Sequence, residues 1–160
     1  CTSAIAAAAR RDDKQLYLPV VDGRTLLFRA WRADDQLAAN RYGIAEPGPE
    51  AASALQLDVI LLPLVGWTGT GFRLGMGGGF YDRYLADLVA AVTSRQGSPS
   101  RSPSPPQLSS PRPASEPPQG LFVGLGYACQ REDELDALRE PFDQALDAVL
   151  TEKGITFVSR

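Results

Sequence analysis

Apolar and polar positions along the chain follow two rhythms. Gln15 to Val21 reads as a strand, Asp22-Gly23 as a turn, and Thr25 to Trp31 as a second strand. Two such runs about an Asp-Gly pair predict a β-hairpin. Asp58 to Leu62 is a continuous apolar run closed by Pro63. Runs of this kind are typical of strands buried on both faces, so it is expected to be a central strand. From about Gly79 to Arg95 the period changes. Phe80, Tyr84, Leu85, Leu88 and Val92 fall on one stripe of a predicted helix. Leu121 to Tyr127 reads as another buried strand, and Arg131 to Leu138 as a charged, helical surface segment. Asp147 to Thr151 and Ile155 to Val158 read as short strands about a Lys153-Gly154 turn. Strand, crossover helix and strand together predict an α/β fold. Its expected form is three-layered, with a mostly parallel sheet and helices on both faces.

One stretch breaks the pattern. From Ser94 to Gln119, 16 of 26 residues are Ser or Pro, and the apolar residues are Leu108 and Ala114. Eight prolines there remove hydrogen-bond donors and fix φ, and so little apolar surface cannot offset the entropy of ordering. The stretch is expected to be a disordered insert within a single domain spanning 1–160. At the other end the chain opens on Cys1 rather than Met. Ala4 to Ala9 followed by Arg10 and Arg11 reads as the end of a helix with its cations at the C-terminus. The expectation is that an N-terminal portion of the fold precedes it.

Composition narrows the chemistry. With Lys+Arg 16 against Asp+Glu 19 the net charge is −3, too acidic for a chain that works by neutralising nucleic-acid phosphates. Histidine is absent, which excludes a Ser-His-Asp triad, a Cys-His dyad and a histidine metal ligand. Two cysteines, Cys1 and Cys129, make neither a zinc site nor a disulfide framework, so a reducing compartment is expected. No apolar run reaches the about 20 residues a membrane span needs.

The window Gly66 to Asp82 carries the most information. It reads G-W-T-G-T-G-F-R-L-G-M-G-G-G-F-Y-D, and seven of the 14 residues from Gly66 to Gly79 are glycine. It lies between a predicted strand and a predicted helix, where ligands bind in open α/β sheets. Glycines let successive N–H groups face one concavity, the helix N-terminus adds partial positive charge, and Arg73 adds a bidentate fork. These features describe a phosphate cradle. No Lys follows any of the glycines, so the window is not a P-loop. The dinucleotide fingerprint fails as well, because Phe80 occupies its last glycine position.

Residues 73–85, R-L-G-M-G-G-G-F-Y-D-R-Y-L, resemble the signature of the 5-formyltetrahydrofolate cyclo-ligase family, R-L-G-x-G-x-G-[FY]-Y-D-x-[FY]-L. Asp58 to Pro63 fits the strand that precedes that signature. Tyr42-Gly43-Ile44-Ala45-Glu46-Pro47 resembles an upstream segment, and Glu140-Pro141-Phe142-Asp143 with Leu146 to Glu152 resembles the closing pattern. The resemblance implies ATP-dependent ring closure of 5-formyltetrahydrofolate to 5,10-methenyltetrahydrofolate, with ADP and phosphate released. Phosphorylating the formyl oxygen makes it a leaving group that the N10 nitrogen displaces. Such chemistry needs positioning and charge neutralisation more than a protein nucleophile.

By position, the resemblance implies that Arg73, Gly75, Gly77, Gly78, Gly79, Phe80, Tyr81 and Asp82 surround the nucleotide. Arg73 and Tyr81 would stand at the chemistry, Asp82 would hold Mg²⁺, and Tyr42 and Trp67 would face the folate. Core packing is the competing role for Tyr42 and Trp67, and a helix first-turn carboxylate for Asp82. The chain departs from the family at Thr68, where many members carry Asp, and at Gly78, where some carry Lys. The family's opening K-x-x-x-R helix is absent from Cys1 to Arg11, so weak turnover by these 160 residues is expected. A non-catalytic relative that keeps nucleotide binding, and a sugar-phosphate enzyme, are the alternatives. A monomeric cytoplasmic protein with a small-molecule substrate is expected, or an organellar one if a transit peptide precedes the chain.

Overall fold

The computed structural model describes residues 2–54, 56–96, 120–140 and 143–158. The chain divides into two units, 1–55 and 56–160. In the first, helix α1 (Thr2–Arg11) ends on Arg10 and Arg11, the end that suits cations. The Arg10 guanidinium lies 4.0 Å from the centre of the Trp31 ring. Strands β1 (Tyr17–Asp22) and β2 (Thr25–Ala30) pair antiparallel with Asp22 opposite Thr25, and Gly23 takes a φ of 59° in the turn. Val20, Leu26 and Phe28 are buried there. A short antiparallel pair, β3 (Ala38–Ala39) and β4 (Ala45–Glu46), follows. Asn40 Oδ1 accepts from the amides of Tyr42 and Ile44 and so closes its turn. The Glu46 carboxylate accepts from Val21 N at 2.9 Å, tying this pair to β1.

In the second unit, β5 (Val59–Pro63) precedes a two-residue pair, β6 (Gly66–Trp67) and β7 (Arg73–Leu74). Helix α2 (Phe80–Gln96) comes next, then β8 (Leu121–Leu125), two 3₁₀ segments (Ala128–Gln130 and Asp133–Leu138), β9 (Ala148–Thr151) and β10 (Gly154–Phe157). The main sheet runs β10-β9-β8-β5, parallel at β5–β8 and β8–β9 and antiparallel at β9–β10. It is a mixed, mostly parallel sheet with a helical crossover, an α/β fold. Leu85 of α2 is fully buried, as are Ile60, Leu62, Leu146 and Val149.

One expectation needs correction. Among the described strands, β5 stands at the edge of its sheet rather than at its centre. Its residues alternate: Ile60 and Leu62 are buried, while Val59 is 50 % exposed. An unbroken apolar run fits one covered face as well as two, because composition does not count a strand's neighbours. The helical segment expected over 131–138 is present as a 3₁₀ helix over Asp133–Leu138, with Asp133 and Asp136 bonded across to the turn at 68–70. Of the stretch 94–119, Ser94 to Gln96 complete α2. Residues 97–119, Cys1, Pro141 and Phe142 lie outside the described residues, as does the side chain of Val92.

Candidate functional site

The glycine window folds as a tight hairpin followed by a loop. Trp67 pairs with Arg73 and Gly66 with Leu74. The turn between them is closed by Thr68 N to Phe72 O at 3.0 Å and Gly71 N to Thr68 O at 3.1 Å. Gly71 has a φ of 85°, and an added Cβ would stand 2.8 Å from the Leu146 carbonyl oxygen. The position therefore requires glycine for conformation and for space. Thr68 is fully buried, and its hydroxyl accepts from Phe72 N at 3.2 Å. Residue 68 is no acid, but a carboxylate does meet this turn. Asp136 Oδ1 accepts from Thr68 Oγ1 at 3.0 Å and from Thr70 Oγ1 at 2.6 Å.

Beyond the hairpin opens a cleft of about 250 Å³. Its lining comes from two parts of the chain: Phe72, Arg73, Leu74, Gly75, Gly77, Gly79 and Asp82 from the glycine window, and Leu138, Glu140 and Asp143 from a segment far along the sequence. Gly77 (φ 79°) and Gly79 (φ 61°) take left-handed backbone, which L-residues rarely adopt. The Arg73 side chain is 5 % exposed and ion-paired with Asp82, whose side chain is 43 % exposed at the start of α2. Arg73 Nε is buried and has no hydrogen-bond partner among the described residues, which is costly for a guanidinium N–H.

The expected site residues separate into groups. Arg73, Gly75, Gly77, Gly79 and Asp82 come together in the cleft. Gly78, Phe80 and Tyr81 do not line it. The Gly78 carbonyl accepts from Arg83 Nη2 at 2.9 Å, and the Arg83 guanidinium lies 5.2 Å from the Phe80 ring centre, which fastens the loop to α2. Burial pushes the Tyr81 phenol above its ordinary range, with nearby Arg73 pulling it part of the way back. Trp67, 4 % exposed, donates Nε1 to the Tyr127 carbonyl at 3.1 Å and serves the core. Tyr42 belongs to the first unit, 54 % exposed on the β3–β4 turn with Arg41 over its ring.

Leu138, Glu140 and Asp143 had not been expected in the cleft. The closing E-P-F-D pattern was the signal available, since it sets two acids three residues apart after a charged segment. Asp143 Oδ2 accepts from Glu140 N at 2.7 Å, which ties the two acids together. Among the described residues no three acids, cysteines or histidines gather into a ready-made metal cage.

The model of the 5-formyltetrahydrofolate cyclo-ligase family matches residues 1–99. A 5-formyltetrahydrofolate cyclo-ligase of Haemophilus influenzae is 40% identical over 90 residues, covering 52% of this chain and 48% of that protein. The Escherichia coli K12 protein of the same name is 43% identical over 81 residues, covering 47% and 44%. A mitochondrial 5-formyltetrahydrofolate cyclo-ligase of Arabidopsis thaliana is 34% identical over 154 residues, covering 89% and 48%. The chain thus spans about half the length of the curated relatives it matches. In three dimensions it resembles the 5,10-methenyltetrahydrofolate synthetase of Aquifex aeolicus with a TM-score of 0.67 at 24% identity, over 99% of this chain and 65% of that one. That likeness establishes the fold, and the sequence match to residues 1–99 establishes the lineage: the chain belongs to the 5-formyltetrahydrofolate cyclo-ligase family.

Proposed function

We propose that this chain takes part in the ATP-dependent conversion of 5-formyltetrahydrofolate to 5,10-methenyltetrahydrofolate, with the 73–82 cleft receiving the nucleotide's phosphates. The observation that carries the reading is Arg73, a buried cation ion-paired with Asp82 in the lining of a glycine-rich cleft. An anion entering there meets the guanidinium, which can exchange Asp82 for it, the glycine loop and the first turn of α2. A phosphate fits that donor set. For Mg²⁺ the fit is looser. Asp82, Glu140 and Asp143 supply carboxylate oxygens to the same cleft without converging on one point. Mg²⁺ bound with nucleotide typically uses one or two carboxylates and completes its shell with phosphate oxygens and water. Asp82 would be the ligand from the start of α2, and Mg²⁺ would supply charge neutralisation.

Arg73 and Asp82 already neutralise one another. Phosphate bound by Arg73, and a cation bound by Asp82, would divide the pair between them. This gives Arg73→Ala and Asp82→Ala different signatures. Arg73→Ala removes a charge-assisted contact worth about 1.5–3 kcal/mol, so ATP affinity should fall roughly 10- to 100-fold. Folate affinity should hold. Asp82→Ala should weaken ATP binding when Mg²⁺ is present and spare it when Mg²⁺ is absent, because Arg73 is released. Calorimetric titration with and without Mg²⁺ reads both, and equal losses of ATP and folate would mean collapse of the loop instead.

The decisive assay is absorbance of the methenyl product formed by this chain, with and without ATP. ATP-dependent product supports the reading. A second reading, a relative that binds nucleotide without turning over, is favoured by the cleft's charge: Arg73 is its one lining cation among the described residues. ATP binding without product would establish that reading instead.

A further inference from the structure

We propose that Asp136 is a positioning residue that holds together the two parts of the chain that line the cleft; the proposal rests on the reading of that cleft as the phosphate site. The two parts are far apart in sequence, the glycine window with its β6–β7 hairpin and the residues Leu138, Glu140 and Asp143. The Asp136 carboxylate joins them. Its Oδ1 takes the hydroxyls of Thr68 and Thr70 on the hairpin turn. Its own carbonyl accepts from Arg139 N at 3.2 Å, closing the 3₁₀ turn that leads from Leu138 into Glu140.

The hairpin side of this link reaches Arg73 in two short steps. Thr68, held by Asp136, accepts from Phe72 N, and Phe72 precedes Arg73. Thr68 also follows Trp67, the residue paired with Arg73 across the hairpin. A displaced Thr68 therefore moves Arg73 from both sides. Gly69 N to Asp133 Oδ1 at 2.8 Å and Glu132 N to Trp67 O at 2.9 Å hold the start of the 3₁₀ segment to the hairpin, and Leu146 N to Gly71 O at 2.9 Å ties the hairpin turn to the chain beyond Asp143. Asp136 makes the link at the end of the 3₁₀ segment that runs on to Leu138 and Glu140. Because Thr68 is fully buried, water cannot replace a lost Asp136; its hydroxyl is then left with Thr70 Oγ1, 2.9 Å away on the same turn, and the bond from the turn to the 3₁₀ segment is gone.

The test compares Asp136→Ala, Asp136→Asn and Thr70→Ala with the unaltered chain by amide hydrogen exchange and by calorimetric titration with MgATP. Thr70 is exposed, so its variant keeps the fold even if Asp136→Ala does not. In Asp136→Ala the amides of 68–74 should exchange faster while those of β8 and β9 keep their protection. MgATP affinity should fall about tenfold, in keeping with small displacements of a positioned charge. Asp136→Asn keeps an acceptor oxygen in place and should stay within about threefold, and Thr70→Ala should lie between the two. Where turnover is measurable, the KM for ATP should rise with kcat and the KM for folate nearly unchanged, a split that general loosening would not produce. Normal MgATP affinity in Asp136→Ala, or equal losses for ATP and folate, would overturn the proposal. Failure of the unaltered chain to bind MgATP would overturn the reading of the cleft itself.

Discussion

Thr68 concentrates several demands on one hydroxyl. It accepts from Phe72 N and donates to Asp136 while fully enclosed. Thr68→Val keeps the shape and removes the oxygen, leaving a buried N–H without a partner. Unfolding free energy from urea titration should fall by about 1–3 kcal/mol, although no apolar contact is lost. Tyr81 offers a test of a different kind. Burial raises its phenol above the ordinary 10.0, Arg73 opposing, and burial raises Tyr84 likewise. The native state then holds these protons to higher pH than the unfolded chain does. Their contribution to stability is complete below about pH 10 and declines as pH rises past it. Tyr81→Phe should flatten that decline, measured by urea unfolding across about pH 9 to 11. Such residue-level chemistry was only partly legible in the sequence. Arg73, the glycines and Asp82 declared themselves because they sit within ten consecutive positions. Glu140 and Asp143 reach the same cleft, and Asp136 the turn at 68–70, from over fifty residues away, and in sequence a folded-back carboxylate reads like any solvated acid.

Within elements, the β6–β7 hairpin shows how conformation and space separate. Gly77 and Gly71 both take left-handed φ, at 79° and 85°. A Cβ at Gly77 meets nothing within 4 Å, whereas one at Gly71 meets the Leu146 carbonyl at 2.8 Å and Val158 beyond it. Gly77→Ala should cost about 1–2 kcal/mol, the conformational term alone. Gly71→Ala should cost more, because its neighbour is backbone and Leu146 N also bonds to Gly71 O at 2.9 Å. Thermal unfolding of the two variants gives the order directly, and equal losses would mean that the Leu146 strand lead-in yields freely. The hairpins at Asp22–Thr25 and Thr151–Gly154 were legible because local turn chemistry fixes them. Helix α2 was legible because its period is internal to one segment. The place of β5 was not, for a strand's rank in a sheet depends on chain found elsewhere. The helical character of 131–138 was legible, but the use of its carboxylates on a distant turn was not, for that too depends on chain found elsewhere.

At the scale of the whole molecule, the sheet of the second unit depends on a long return. Strand β5 pairs in parallel with β8, Val59 opposite Leu121, so the chain must travel back along α2 before it can pair again. It leaves α2 at Gln96 and re-enters at Gly120, where an added Cβ would stand 2.2 Å from the Leu57 carbonyl oxygen. The re-entry point is thus fixed tightly by its own packing, and Leu121 N bonds to Asp58 O at 2.9 Å beside it. What is expected of 97–119 follows from composition alone: a Ser- and Pro-rich stretch with two apolar residues has little to bury. If neither end of the return needs that stretch to find its place, replacing 97–119 by a linker of about six Gly and Ser residues should preserve the sheet. Two halvings of loop length relieve roughly 1.2 kcal/mol of closure entropy, at about 0.6 for each. The shortened chain should therefore unfold in urea at the same midpoint or a slightly higher one, with its MgATP affinity intact. A loss of more than about 1 kcal/mol would mean that residues 97–119 make contacts their composition does not suggest. A loss of affinity at unchanged stability would place part of that stretch at the cleft.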